Sequence, residues 1–263
     1  VNSATVAVIG GSGSSALLSD AQIAETICIS TPYGELSAPI VLAQLNGCQF
    51  YLVHRHGTKH TIPPHAINYR ANIWALAELG AKAVIATATV GSINRTMNPS
   101  DLIIPDQLID YTWGRDSTFF DGKSGEVGHL DMTCPYSLPL RKEIFNAAKS
   151  CGVNIADGAV YAVTQGPRFE TPAEINRIEN DGGDLVGMTG MPEAALAAEK
   201  HLHYACIAMV VNHAAGRGGG QIESSALSEA FSAGISQMNA VLKTALPAVS
   251  SAELPGTDSV LRP

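Results

Sequence analysis

Apolar positions fall into short β-branched runs that alternate with longer stretches of helical spacing. Thr5–Ile9 is the first run, and it ends in Gly10-Gly11-Ser12-Gly13-Ser14-Ser15, the pattern of a buried strand delivering a glycine-rich turn. Between Thr31 and His56 short strands alternate with turn residues, and Asn46-Gly47 predicts a two-residue hairpin. Asn68 to Gly80 carries Tyr69, Ile73, Trp74, Leu76 and Leu79 at helical spacing, which predicts a buried crossover helix. Ala83–Ala86 reads as a strand running into a small hydroxylated turn, Thr87 to Ser92, and 102–104 and 107–111 read as further strands. A helix over 138–151 and a strand over 159–164 follow. Thr171, Pro172 and Glu174 then mark a capped helix start. A short strand at 184–186, an alanine-rich helix over 192–201, an apolar strand over 205–211 and a helix from Ser225 to about Leu246 complete the pattern. Strands alternating with helices predict an α/β fold that binds ligands at strand carboxyl ends.

With 263 residues and no linker-like stretch, the pattern predicts one domain over 1–247 and a flexible Ser/Pro-rich tail over 248–263. Hydrophobic residues make up 46% and charged residues 15%, enough for a large core with apolar surface left for a partner subunit. A net charge of −8 argues against nucleic-acid binding, so an anionic substrate has to be held by a local cationic group. Five widely spaced cysteines without a C-x-x-C pair fit a reduced, cytoplasmic protein with no metal site, and no apolar run reaches membrane-span length.

The cationic group is at hand in His54-Arg55-His56-Gly57, at the end of a predicted strand. Arg55 supplies a fork of donors and His56 a second donor for a phosphate, and a solvated basic turn is the alternative. The turn at Ser12 suits an anion or is a plain loop, since it lacks the Walker ending and the full G-x-G-x-x-G spacing. Phe169 and Glu170, just ahead of the capped helix, offer a flat apolar face and an acceptor for a heterocycle N–H, or else belong to core and cap.

Taken together, Arg55-His56-Gly57, His60-Thr61-Ile62-Pro63, Asn68–Leu76, Gln165–Glu170 and Gly187-Met188-Thr189 with Pro192-Glu193 resemble the trimeric purine nucleoside phosphorylase and methylthioadenosine phosphorylase family over most of the chain. The resemblance implies a single-domain three-layer α/β/α fold with a mixed, partly barrel-like central sheet. It also implies a homotrimer with sites at subunit interfaces, and phosphorolysis of a purine nucleoside with phosphate as co-substrate and no metal or cofactor. By position it assigns Ser12, Arg55, His56, Thr87, Ala88, Thr89 and Thr189 to phosphate, and Phe169, Glu170, Met188, Asn212 and Ala214 to the nucleoside, with Asn212 and His56 as the catalytic pair. Ala88 departs from the hydroxyl residue found in many relatives. His129 would reach the 5′ group from a neighbouring subunit, beside Ile222 and Ala226.

Adenine-selective members of the family carry Asp where this chain has Asn212. A neutral amide donates to O6 or N7, and Glu170 accepts from N1–H, which points to a 6-oxopurine. Members of the family acting on ordinary nucleosides place a His near the start of the last helix and those acting on methylthio nucleosides are apolar there; no His follows His213, and Ile222, Ala226 and Leu227 are apolar, so the resemblance implies a 5′-methylthio group. The expected substrate is 5′-methylthioinosine, giving hypoxanthine and 5-methylthioribose 1-phosphate. Alternatives are a general inosine/guanosine phosphorylase, a methylthioadenosine phosphorylase, a purine- or phosphate-binding regulatory protein, and a dinucleotide enzyme built on Gly10–Gly13.

Overall fold

A computed structural model describes residues 5–11, 17, 19–123, 125–218, 220, 224–257 and 259–261. Its strands are β1 (Val6–Gly10), β2 (Gln22–Ile27), β3 (Ile40–Leu45), β4 (Cys48–His54), β5 (Ala83–Ser92), β6 (Leu102–Ile104), β7 (Gln107–Asp110), β8 (His129–Leu130), β9 (Ile155–Asp157), β10 (Val160–Val163), β11 (Leu185–Gly187), β12 (His203–His213) and β13 (Val260–Leu261). The described helices are α1 (Tyr69–Glu78), α2 (Leu138–Ser150), α3 (Pro172–Asn180), α4 (Glu193–Glu199) and α5 (Ser224–Ser251), with a 3₁₀ turn at Pro64–Ala66.

β5 is the branch point of an eleven-stranded mixed sheet. On one side the order runs β5-β1-β4-β3-β2, on another β5-β11-β10-β7, while β12 pairs with β5 and leads to β6 and β9. The chain passes almost directly from β6 to β7 and from β9 to β10, so the ends of the two branches meet and the sheet curls into a partial barrel. The strands alternate between two cores. Ala7, Ile9, Val84, Ala86 and Cys206 pack with Ile73 of α1 and Leu196 of α4, whereas Val6, Val8, Ile85 and Ile207 pack with Ile144 of α2 and Leu242 of α5. Period-2 alternation thus buries both faces of the sheet under helices, in three layers.

The hairpin forms as its sequence dictates: Leu45 pairs with Cys48, and Asn46 and Gly47 take φ of 50° and 79°, the left-handed pair that suits a tight hairpin. The supposed turn from Thr87 to Ser92 is strand instead, because β12 pairs with β5 from Ala83 to Ser92 and the β-branched Thr87, Thr89 and Val90 continue the run. α5 continues through Pro247 to Ser251. Beyond it, three contacts join described residues of the C-terminal stretch to the rest of the chain. Pro255 O accepts from His203 Nε2 at 2.7 Å, Thr257 Oγ1 donates to His201 O at 2.7 Å, and β13 pairs with β8. No described helix is long and apolar enough to cross a membrane.

Candidate active site

A cavity of about 710 Å³ opens at the carboxyl ends of β1, β4, β11 and β12, against the second half of β5. Arg55 leaves β4 with its backbone N–H still donating to Gly10 O at 3.0 Å, which turns the side chain inward. The guanidinium is 1% exposed and forms a fork with Glu193, Nε to Oε2 and Nη2 to Oε1, both at 2.7 Å. Nη1 donates to Thr87 O at 2.9 Å, and Tyr204 donates to Glu193 Oε1 at 2.9 Å. Burial alone would lower the pKa of Arg55, but the charge and hydrogen bonds of Glu193 outweigh it and the net displacement is upward. Of five guanidinium N–H groups three are taken, which leaves two for a ligand among the described residues. Gly11 is fitted to this arrangement: a Cβ there would lie 3.3 Å from Arg55 Nη1, and its N–H donates to Thr87 Oγ1 at 3.3 Å.

His56 Nδ1 lies 2.8 Å from Ile62 O, and because a carbonyl only accepts, Nδ1 carries the proton. Burial, aided by the charge of Arg55 and by His60, pushes the pKa of His56 down to about 4, against the opposing Ile62 hydrogen bond. Near neutral pH the ring is therefore neutral, with Nε2 an acceptor. Ala88, Thr89 and the buried Thr189 line the same cavity.

The rest of the wall comes from the segment between β10 and α3. Thr171 caps α3 in a reciprocal box with Glu174, and Arg168 forks onto the same carboxylate at 2.7 and 2.8 Å. The Arg168 hydrogen bond leads the causes that hold Glu174 at about 2. These contacts pin both flanks of Phe169, 52% exposed, and Glu170. Glu170 Oε1 accepts from Thr164 Oγ1 at 2.6 Å. Gly166 takes φ +62° where a Cβ would lie 2.6 Å from Met188 Sδ, so the Gly lets Met188 close on the loop. In β12 a bulge at Val211 brings Asn212 opposite Gly91, and the Asn212 Nδ2 donates to His213 O at 2.7 Å, which among the described residues leaves one N–H and Oδ1.

The structure thus brings Arg55, His56, Thr87, Ala88, Thr89 and Thr189 to one cavity with Phe169, Glu170, Met188, Asn212 and Ala214. His129 is outside that wall, exposed in β8 beside Leu261 of β13. Ser12, Ile222 and the side chain of Ala226 lie outside the described residues. The apolar side of α5 enters the cavity through Leu227 and Phe231. Among the described residues, no cluster of three or more His, Cys, Asp and Glu side chains could hold a metal ion.

Sequence reasoning gave no role to Glu193, Thr164 or Arg115. Arg115, in the polar loop after β7, donates to Met188 O and Met191 O at 2.9 and 2.5 Å and to Gln165 O at 2.9 Å. It clamps together the two backbone segments that carry Met188 and Glu170. Its one sequence signal is a lone Arg flanked by Gly and Asp, which reads as a solvated loop charge.

Residues 5–247 match the family model described as the phosphorylase superfamily. A relative from Xanthomonas campestris pv. campestris, named a probable S-methyl-5'-thioinosine phosphorylase, is 52% identical over 220 residues, 84% of this chain and 88% of its own. The 6-oxopurine nucleoside phosphorylase of Pyrococcus furiosus is 44% identical over 229 residues, 85% of each chain. The crystal structure of a methylthioadenosine phosphorylase from an antarctic soil metagenomic library superposes with a TM-score of 0.92 at 33% identity, covering 100% of this chain and 94% of that one.

Proposed function

The chain belongs to the phosphorylase superfamily, and on that premise we propose that it cleaves a 6-oxopurine nucleoside with phosphate, its substrate being 5′-methylthioinosine and its products hypoxanthine and 5-methylthio-α-D-ribose 1-phosphate, a purine-salvage reaction. The main support is one cavity in which Arg55, with two N–H groups unused among the described residues, shares the wall with an acceptor, Glu170, and an amide, Asn212. Hydrogen phosphate lies on Arg55, the Thr87–Thr89 strand and Thr189, with Ser12 at the glycine-rich turn. Neutral His56 accepts the phosphate's own O–H at Nε2.

A phosphate oxygen forms the bond to C1′ as the bond from C1′ to N9 breaks, and that electron pair moves onto the purine. Overall, the proton of hydrogen phosphate leaves on the base, so charge and atoms balance. The transition state has oxocarbenium character, as in glycoside cleavage. The anion stabilises the sugar, and a donor from Asn212 at N7 stabilises charge arriving on the base. Phe169 covers the base, and Met188 and Ala214 bound the sugar side.

The choice of base rests on Glu170 taking N1–H, a donor in hypoxanthine and an acceptor in adenine. The choice of 5′ group rests on Leu227 and Phe231. The names of similar proteins agree with both halves: the Xanthomonas and Pyrococcus relatives share the 6-oxopurine or inosine base, and the Xanthomonas relative and the soil enzyme share the methylthio sugar. We place the protein in the cytoplasm as a homotrimer, in which His129 of one subunit approaches the 5′ end of its neighbour's site. Incubation with 5′-methylthioinosine should release hypoxanthine only when phosphate is present, with one sugar phosphate formed per base by ³¹P NMR. Binding of both ligands without release would make the protein a binder instead.

A further inference from the structure

Glu170 sits on the partition between two cavities. It lines the 710 Å³ site and also a neighbouring cavity of about 300 Å³, whose wall includes Thr164, Arg168 and Arg177. A carboxylate there has two destinations. It can present an oxygen to a base in the larger cavity, or swing towards Arg168, whose charge it already feels.

Thr164 decides between them. Its backbone N–H is fixed on Gly187 O at 2.8 Å, at the point where β10 and β11 end. Its hydroxyl has one proton and two acceptors in range, Glu170 Oε1 at 2.6 Å and Gly187 O at 3.4 Å, so by distance the proton belongs to Glu170. Thr164 lines the small cavity and not the large one. The oxygen it occupies is therefore held on the partition side, and Oε2 is left for the base.

We propose that Thr164 is the positioning residue that sets base specificity: by holding Oε1 at one fixed point on the partition it stops Glu170 from moving on towards Arg168 and leaves the other oxygen for N1–H of a 6-oxopurine. This rests on the base reading given above. A fixed acceptor binds N1–H of hypoxanthine and repels the N1 lone pair of adenine. A free carboxylate does less of both, because it can retreat towards Arg168. The hydroxyl thus enlarges the ratio of 6-oxo to 6-amino turnover from both sides.

The test compares Thr164→Val, which keeps the shape and loses the hydroxyl, with Thr164→Ser, which keeps the hydroxyl. For Thr164→Val, kcat/KM with 5′-methylthioinosine should fall roughly tenfold to a hundredfold, the effect of one hydrogen bond to a charged group. The ratio to 5′-methylthioadenosine should shrink, with the nucleoside KM rising and the phosphate KM unchanged. Thr164→Ser should keep the wild-type ratio. An unchanged ratio in Thr164→Val would overturn the proposal, as would Thr164→Ser behaving like Val, or nucleoside and phosphate KM rising together as general damage would make them. Failure of the base reading itself shows separately, as a wild-type enzyme that does not favour 6-oxopurines.

Discussion

Replacing Arg55 by Met separates what the buried ion pair does for the fold from what it does for phosphate. Both partners are 1% exposed in their side chains, so among the described residues the substitution leaves the Glu193 carboxylate with the Tyr204 hydroxyl as its hydrogen-bond partner and no counter-charge. Breaking one side of such a pair costs about 3–5 kcal/mol. At about 2.1 cal/mol/K per residue, 263 residues give an unfolding entropy near 0.55 kcal/mol/K, so 3 kcal/mol lowers Tm by about 5–6 °C. Function loses the two guanidinium N–H groups left over from Glu193 and Thr87. At about 1.5 kcal/mol each they amount to about 3 kcal/mol, a loss near 150-fold in kcat/KM for phosphate. The double variant Arg55→Met/Glu193→Gln removes the stranded charge and keeps an acceptor for Tyr204. It should recover most of the lost Tm and none of the lost phosphate use. Thermal denaturation and initial rates against phosphate at saturating nucleoside measure the two effects. A single variant whose phosphate KM stays within threefold of wild type refutes Arg55 as the phosphate ligand. A double variant as unstable as the single one refutes the charge account of the instability.

Other consequences follow from the histidines and from α5. Burial lowers the pKa of His54, His56 and His203, His56 to about 4, so below pH 6.5 the unfolded chain binds protons that the folded one refuses. Their contribution is fully present above pH 6.5 and is lost as pH falls towards 4; urea midpoints should drop across that window, and a midpoint independent of pH would contradict it. Phe231→Ala should reduce kcat/KM for 5′-methylthioinosine by roughly tenfold to a hundredfold, the worth of about 1–3 kcal/mol of apolar contact, and leave inosine within threefold. Equal losses on both substrates would remove Phe231 from the 5′ pocket.

Local rules were legible wherever a side chain's partner is close in sequence. The Asn46-Gly47 hairpin and the Thr171–Glu174 box need only their own neighbours, and both form. β2 was missed because it is an edge strand exposed along Gln22–Thr26, so no apolar alternation announces it. Thr87 to Ser92 passed for a turn because small and hydroxyl residues signal loops, whereas what makes them strand is pairing with β12, more than a hundred residues on. The cationic end of the site was readable in Arg55 itself, but its orientation depends on Glu193, 138 positions away, which no spacing links to it. Thr164 and Arg115 likewise act through contacts that exist only once β10, β11 and the loop after β7 are assembled. On α5, Leu227, which the sequence already offered as apolar, and Phe231 are one helical turn apart, and the cavity receives both.

The most direct measurement of the substrate claim compares kcat/KM for phosphate-dependent base release from 5′-methylthioinosine, 5′-methylthioadenosine, inosine and guanosine under one condition. Methylthioinosine should lead, with methylthioadenosine behind it through the edge presented by Glu170 and Asn212, and inosine behind it through the apolar surface of Leu227 and Phe231. Methylthioadenosine in front would contradict the base assignment, and inosine level with methylthioinosine would contradict the 5′ pocket.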